Sequence, residues 1–203
     1  MILEPGSVSP GAMYHFLISI VVPRPIAFVS TVSPSGVRNL APFSFFNAIS
    51  SVPPLVGISI LDRKDDPKDT LRNIRDTGEF VTSLVNEALL APMVESSGEW
   101  PAGADEFEIA GLTAAPSHRV KPPRVAASPI AMECRLFREV TLGSAAFIVG
   151  EVVCVHVADD VLTEGRVDPA KLMAVGRLGG DGYSVVREVI HQARPKAART
   201  GNT

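Results

Sequence analysis

Between Arg38 and Ile60 the chain reads RNLAPFSFFNAISSVPPLVGISI, with Arg38 its one ionisable side chain. Asn39, Ser44, Asn47, Ser50, Ser51 and Ser59 are set among apolar and aromatic residues there. Buried amides and hydroxyls are costly unless each finds a partner. Two readings follow. These side chains face solvent on half-buried strands, or they line a pocket for something large, flat and polar at one end. A short distance on, Pro67-Lys68-Asp69-Thr70 offers a different chemistry. If Pro67 opens a helix, the amides of Lys68, Asp69 and Thr70 are donors at the positive end of its dipole. Lys68 then adds charge and Thr70 a hydroxyl, a set suited to phosphate. Asp66 and Asp69 oppose it, because they can cap those amides and repel an anion. Helix logic alone favours plain capping.

Other chemistries have less support. The sequence contains no G-x-S-x-G, G-x-x-x-x-G-K-[ST] or H-E-x-x-H motif, each of which would signal a known catalytic geometry. Gly176, Gly179, Gly180 and Gly182 do not match G-x-G-x-x-G and open no helix after a strand. His15, His118, His156 and His191 are scattered, and a lone histidine is more often structural or exposed than catalytic. Asp65-Asp66 and Asp159-Asp160 read as turn and cap residues. With no C-x-x-C pair, Cys134 and Cys154 suggest no structural zinc site. In strands they serve as small hydrophobes, and the expected setting is reducing and cytoplasmic.

The elements that must position these residues follow from pattern. At 203 residues, 46% apolar and 20% charged, the chain is expected to form a single domain over 1–190. A polar, basic and disordered tail is expected over 191–203. A net charge of −3 and few aromatics argue against a nucleic-acid partner, and no apolar run reaches membrane-spanning length. Between Met1 and Leu61 the charged side chains are Glu4, Arg24 and Arg38, the mark of a largely buried first third. Ile26–Val32 reads as a strand, with a hairpin turn at Ser33-Pro34-Ser35-Gly36. A second strand is expected from Val37 to Ile49, interrupted at Pro42, and a third over Leu55–Leu61. A helix starting at Asp66-Pro67 ends at Gly78, and Phe80–Val85 is again a strand. Asn86 caps a short helix reaching Glu95. Pro129–Val140 and Ala145–Val157 are two long strands. The imperfect alternation of the second suggests cover on both faces. Asp168-Pro169 starts a brief helix, and Tyr183–Ile190 is the last strand. Strands with short turns and few βαβ-length helices disfavour a doubly wound sheet, and a closed antiparallel barrel is the simplest arrangement without exposed edges.

Several stretches resemble one family. They are Arg24-Pro25-Ile26-Ala27-Phe28-Val29-Ser30-Thr31, Asn39-Leu40-Ala41-Pro42-Phe43-Ser44-Phe45-Phe46-Asn47, Pro53-Pro54-Leu55-Val56, Pro67-Lys68-Asp69-Thr70-Leu71-Arg72-Asn73-Ile74 and Gly78-Glu79-Phe80-Val81. Lys121-Pro122-Pro123-Arg124, Met132-Glu133-Cys134, and Val175-Gly176-Arg177-Leu178-Gly179-Gly180 with Tyr183 continue the likeness. Together they resemble the flavin reductase-like, FMN-binding split-barrel family, in order, over about residues 14 to 188. The resemblance implies a mainly β fold: a six-stranded antiparallel Greek-key split barrel with short peripheral helices, pairing as a homodimer with FMN near the interface. It implies an NAD(P)H:flavin oxidoreductase, with NAD(P)H as co-substrate and a partner monooxygenase or redox protein as electron acceptor. A flavoredoxin-like electron carrier, or a flavin-binding dimer without turnover, is the alternative. Carried over by resemblance, Ser30, Thr31, Asn39, Ala41, Ser44, Phe45, Asn47 and Ser59 lie along the flavin and ribityl chain. Lys68, Asp69 and Thr70 sit toward the phosphate, and Arg24 approaches the same region. Arg63 reads as a solvated loop charge, Arg177 and Tyr183 as structural, and His118 as part of a loop near the ring. Direct hydride transfer between stacked rings needs no protein nucleophile or base.

Overall fold

In the computed structural model, residues 1–61, 67–101 and 103–195 are described. Seven strands form the main sheet: β1 Ala27–Val32, β2 Arg38–Phe43, β3 Phe46–Ser51, β4 Pro54–Leu61, β5 Glu79–Leu84, β6 Ile130–Leu142 and β7 Ala145–Val157. Their order is β2-β1-β5-β6-β7-β4-β3, every pairing antiparallel. The two strands at the ends of that order are consecutive in the chain, separated only by Ser44 and Phe45. Across that gap the Ser59 amide still donates to the Phe45 carbonyl at 2.8 Å. The sheet therefore closes through one bent run of chain, and seven ribbons occupy six barrel positions. This is the expected split barrel, and the Val37–Ile49 run is interrupted at Ser44–Phe45 rather than at Pro42. Pro42 stays inside β2 opposite Phe28, because the other edge of β2 meets no strand of the sheet and its missing N–H is not needed there.

Side chains on the inner faces, among them Val29, Ile58, Phe80 and Ile148, form one core, into which Leu71 and Ile74 of the helix over Asp69–Thr77 also pack. A second core lies on the opposite face of β1 and β2, where Phe28 and Leu40 meet Leu89, Met93 and Phe107. β1 is thus covered on both sides, consistent with its lack of charge. Five α-helices are found among the described residues: α1 Pro10–Ile20, α2 Asp69–Thr77, α3 Leu90–Ser96, α4 Glu106–Ile109 and α5 Pro169–Leu172, the last where a brief helix was expected after Asp168. Helix α1 lies outside every element expected above. Ser9 caps it by accepting from the Ala12 amide, with Pro10 at its first position.

Helix α2 begins at Asp69, with Lys68 extended at the cap position and Gly78 left-handed at φ +70° closing it. Its first turn is set later than expected because burial of Thr70 and Leu71 fixes where the helix enters the barrel; Asp66 lies outside the described residues. The segment over Tyr183–Ile190 pairs only through Val185, in a small sheet with Val175–Arg177 and Arg24–Pro25. Residues 186–190 form no strand, and Ile190 is exposed. In the 191–203 tail, residues 196–203 lie outside the described set.

Candidate functional site

A cleft of about 350 Å³ opens where β2, the start of α2 and the segment after α3 meet. Asn39 and Ala41 come from β2, Lys68, Asp69 and Thr70 from the head of α2, and Ser96–Trp100 forms the facing wall. Of the residues singled out from sequence, the fold brings these five together. The first helical hydrogen bond of α2 runs from the Arg72 amide to the Lys68 carbonyl at 3.0 Å. The amides of Asp69, Thr70 and Leu71 thus lie before the intrahelical ladder starts, and Lys68 offers them no side-chain acceptor. The Asp69 carboxylate pairs with Arg72, which draws one of the two opposing acids away from those amides. The Lys68 ammonium rests 5.4 Å above the Phe43 ring.

Beneath the cleft runs a buried polar network. The Thr70 hydroxyl donates to Asn39 Oδ1 at 2.8 Å, as does that of Thr31 at 3.3 Å. Asn39 Nδ2 donates to both Glu106 oxygens at 3.1 Å, and the Leu40 amide donates to Glu106 Oε2 at 2.9 Å. Asn73 Nδ2 closes the set on Thr31 Oγ1 at 3.0 Å. Burial pushes the Glu106 carboxyl above its usual range, against the pull of the Leu40 amide and Asn39. Sequence reasoning missed Glu106 and Asn73. The only local signal for Glu106 is Asp105 before it, which caps α4 by accepting from the Phe107 amide at 3.0 Å.

A second recess of about 230 Å³ shares Pro42 and Ser97 with the cleft and so continues it. Arg24, Ser44, Arg177, Tyr183 and Tyr14 line it. Arg24 is buried and bound to the carbonyls of Ile18 at 2.5 Å, Val21 at 2.9 Å and Leu178 at 3.0 Å. Its Nε lies 3.4 Å from Ser44 Oγ, and its guanidinium 5.9 Å from the Phe45 ring centre. Burial first, then the Arg177 cation, lowers its pKa. Arg177 stacks on Tyr183 at 4.5 Å. Two guanidinium groups therefore flank one end of a groove whose other end is the head of α2.

Other expected residues stand apart. The Ser30 hydroxyl donates to the Pro123 carbonyl. Asn47 is exposed and accepts from the adjacent Ala48 amide at 2.9 Å. Ser59 pairs across from Phe147 on β7. None of the three borders the groove. The His118 amide donates to Glu133 at 2.7 Å, and Arg63 lies outside the described residues. No helix among the described residues is long and apolar enough to cross a membrane.

A family described as flavin reductase like domain matches residues 19–174. An uncharacterized protein of Halalkalibacterium halodurans is 43% identical over 203 residues, covering 96% of this chain and 97% of that one. Among solved structures, nitrilotriacetate monooxygenase component B from Bacillus cereus superposes with a TM-score of 0.92 at 33% identity, covering 95% of this chain and 98% of the other. The 2-nitrobenzoate 2-nitroreductase of Pseudomonas fluorescens gives 0.89 at 28% identity, with both chains covered completely.

Proposed function

The chain belongs to the flavin reductase-like domain family, and from that premise we propose that it binds FMN in the groove and acts as an NAD(P)H:flavin oxidoreductase. One observation carries the reading. The head of α2, whose first-turn amides precede the first helical hydrogen bond and meet no side-chain acceptor from Lys68, borders the cleft that Lys68, Asp69 and Thr70 line. An anion at such a position meets backbone donors, a positive dipole end and a cation together. Lys68, Thr70 and these amides hold the phosphate, and Asn39 and Ala41 border the chain that leads from it. Ser44 and the Arg24–Phe45 pair stand where the groove continues.

Bound flavin supplies the redox chemistry, accepting hydride from a nicotinamide and passing electrons onward. The protein's part is to fix the ligand's orientation and exclude water from its apolar faces. The Asn39–Glu106 network serves this by locking β2 to the head of α2. The acceptor is a partner monooxygenase component or another redox protein; the Bacillus cereus neighbour is itself a monooxygenase component. The exposed apolar side chains of α1, including Tyr14, Leu17 and Ile20, with exposed Ile49 on β3 and Val52 in the turn after it, support a homodimer, and the free thiols suit a cytoplasmic setting.

An anaerobic absorption spectrum of protein saturated with FMN, recorded before and after adding NADH or NADPH, tests the reading. Rapid loss of the flavin band supports the oxidoreductase. Tight FMN binding with no bleaching by either nucleotide moves the assignment to an electron carrier. Failure to bind FMN removes it.

A further inference from the structure

Outside the groove, on the pairing of β6 with β7, three side chains of different ligand chemistry converge. Glu133 Oε1 lies 2.5 Å from His156 Nε2, and Cys154 Sγ lies 3.8 Å from the same nitrogen. All three ligand atoms fall within 4.8 Å of one another. The sequence spacing gives no hint of this, because strand pairing builds it. Val152 stands opposite Cys134, but Cys154 then stands opposite Glu133 and His156 opposite Ala131, with a register shift between Val152 and Cys154. In an unbulged ladder Val153 would face Glu133. The bulge re-aims Cys154 and His156 to the side of the sheet that Glu133 occupies, as bulges beside functional sites do.

Glu133 is fully buried, and its carboxylate is held from behind by a loop. The His118 amide donates to Oε1 at 2.7 Å; the Arg119 and Val120 amides donate to Oε2 at 2.5 and 3.2 Å. Burial alone pushes this carboxyl up, but the His118 amide, His156 and the Arg119 amide outweigh it and keep it below the usual range. His156 keeps 27% of its side chain exposed, so the cluster has a mouth to solvent. A buried carboxylate–imidazole pair accounts for Glu133 and His156 but not for the thiol. In a thiol–imidazole–carboxylate relay the sulfur and the carboxylate use opposite ring nitrogens. Here both converge on Nε2, which suits an atom placed among the three.

We propose that Glu133, Cys154 and His156 bind a divalent transition metal of the zinc and cobalt class, in a three-ligand site whose fourth position faces solvent. Thiolate, imidazole and carboxylate together favour such borderline ions over magnesium or calcium. Tetrahedral bonds of about 2.0 to 2.3 Å separate neighbouring ligand atoms by roughly 3.5 Å. The sulfur–nitrogen distance already matches, and the carboxylate–imidazole pair opens by about 1 Å to admit the ion. The three loop amides act as the outer shell that orients the carboxylate. The ion takes the place of the imidazole and thiol protons and ties β6, β7 and the His118–Val120 loop at one point.

The test is a cobalt(II) titration of untagged, metal-stripped full-length protein. The expected result is one equivalent bound, with a thiolate-to-cobalt charge-transfer band in the near ultraviolet that zinc(II) abolishes. Zinc should raise Tm in the wild type. Cys154→Ser should remove the band, and both it and His156→Gln should weaken cobalt binding about tenfold or more, with circular dichroism and metal-free Tm close to wild type. No charge-transfer band in the wild type at stoichiometric cobalt overturns the proposal without recourse to variants, leaving a plain ion pair. A band that persists in Cys154→Ser overturns it equally, because the sulfur would then belong to Cys134.

Discussion

The Thr70 hydroxyl donates to Asn39 Oδ1 at 2.8 Å, and through that bond the first turn of α2 is joined to the start of β2. Both residues are buried, and 31 positions separate them in the chain. The amide leaves neither end idle, because its nitrogen holds Glu106 while its oxygen takes Thr70 and Thr31. A side chain that makes four hydrogen bonds to three others in a buried layer constrains geometry more than its own size suggests.

Asn39→Leu therefore removes more than one hydrogen bond. It keeps the branched shape in a somewhat bulkier side chain but leaves two hydroxyls and a carboxylate short of partners, and each buried unsatisfied group costs roughly 1 to 3 kcal/mol. We expect a loss of about 2 to 4 kcal/mol in unfolding free energy by urea denaturation. A loss below about 0.5 kcal/mol would mean the network relaxes onto water.

Glu106 gives a pH signature. Its folded-state pKa is raised, with burial the largest cause, so the native state holds this proton over a range where the unfolded chain has released it. The contribution is fully present below the unfolded value of about 4.3 and is lost as pH rises through the raised folded value. Glu106→Gln stays uncharged throughout. The stability of wild type relative to Glu106→Gln should therefore fall as pH rises above about 4.3 and level off beyond the folded pKa. Parallel stability curves for the two proteins, by thermal unfolding across pH 4 to 8, would remove the assignment.

How much of this was readable in advance depends on sequence distance. β1 and its turn at Ser33–Gly36 were legible because β-branched residues are bounded by turn formers. The head of α2 was legible to within two residues, and Gly78 marked its end. Helix α1 was not. Its eleven residues contain no Lys, Arg, Asp or Glu, so no polar face announces the helical period. Glu106 and Asn39 lie 67 positions apart, and no local pattern couples them. The uneven alternation along Glu151–Val157 suggested a strand covered on both faces. Its physical cause is the register shift between Val152 and Cys154, which swaps the sides of the residues beyond it. The twelve expected site residues divide the same way: those near the β2–α2 junction share the groove, whereas Ser30, Asn47 and Ser59 depend on which way a strand residue points.

Arg24 gives a third prediction. Its guanidinium ties the carbonyls of Ile18 and Val21 to that of Leu178, so it anchors α1 to the small sheet. Arg24→Met preserves much of the stem but leaves those carbonyls without the charged donor. Hydrogen bonds to a charged group are each worth roughly 1.5 to 3 kcal/mol. We expect amides of Gly11–Val22 to exchange faster by about tenfold or more in hydrogen-exchange mass spectrometry, consistent with loss of one such bond. The barrel strands should be little changed. Uniform acceleration across the chain would mean that Arg24 supports the whole fold rather than the docking of α1.

Lys68→Glu tests the phosphate end of the groove most directly. The ammonium lies over Phe43 at the cleft wall, next to a helix head whose cap position supplies no side-chain acceptor. Reversing its charge sets a carboxylate where the bound phosphate would sit and lets it compete for the same amides. FMN affinity should fall about tenfold or more, equivalent to at least about 1.4 kcal/mol, and the loss should shrink as salt is added. Riboflavin, which lacks the phosphate, is the control: its binding should change little. If both ligands weaken equally, Lys68 acts on the shape of the cleft rather than on the anion. Undiminished FMN affinity by fluorescence titration would move the phosphate away from α2, toward the recess flanked by Arg24 and Arg177.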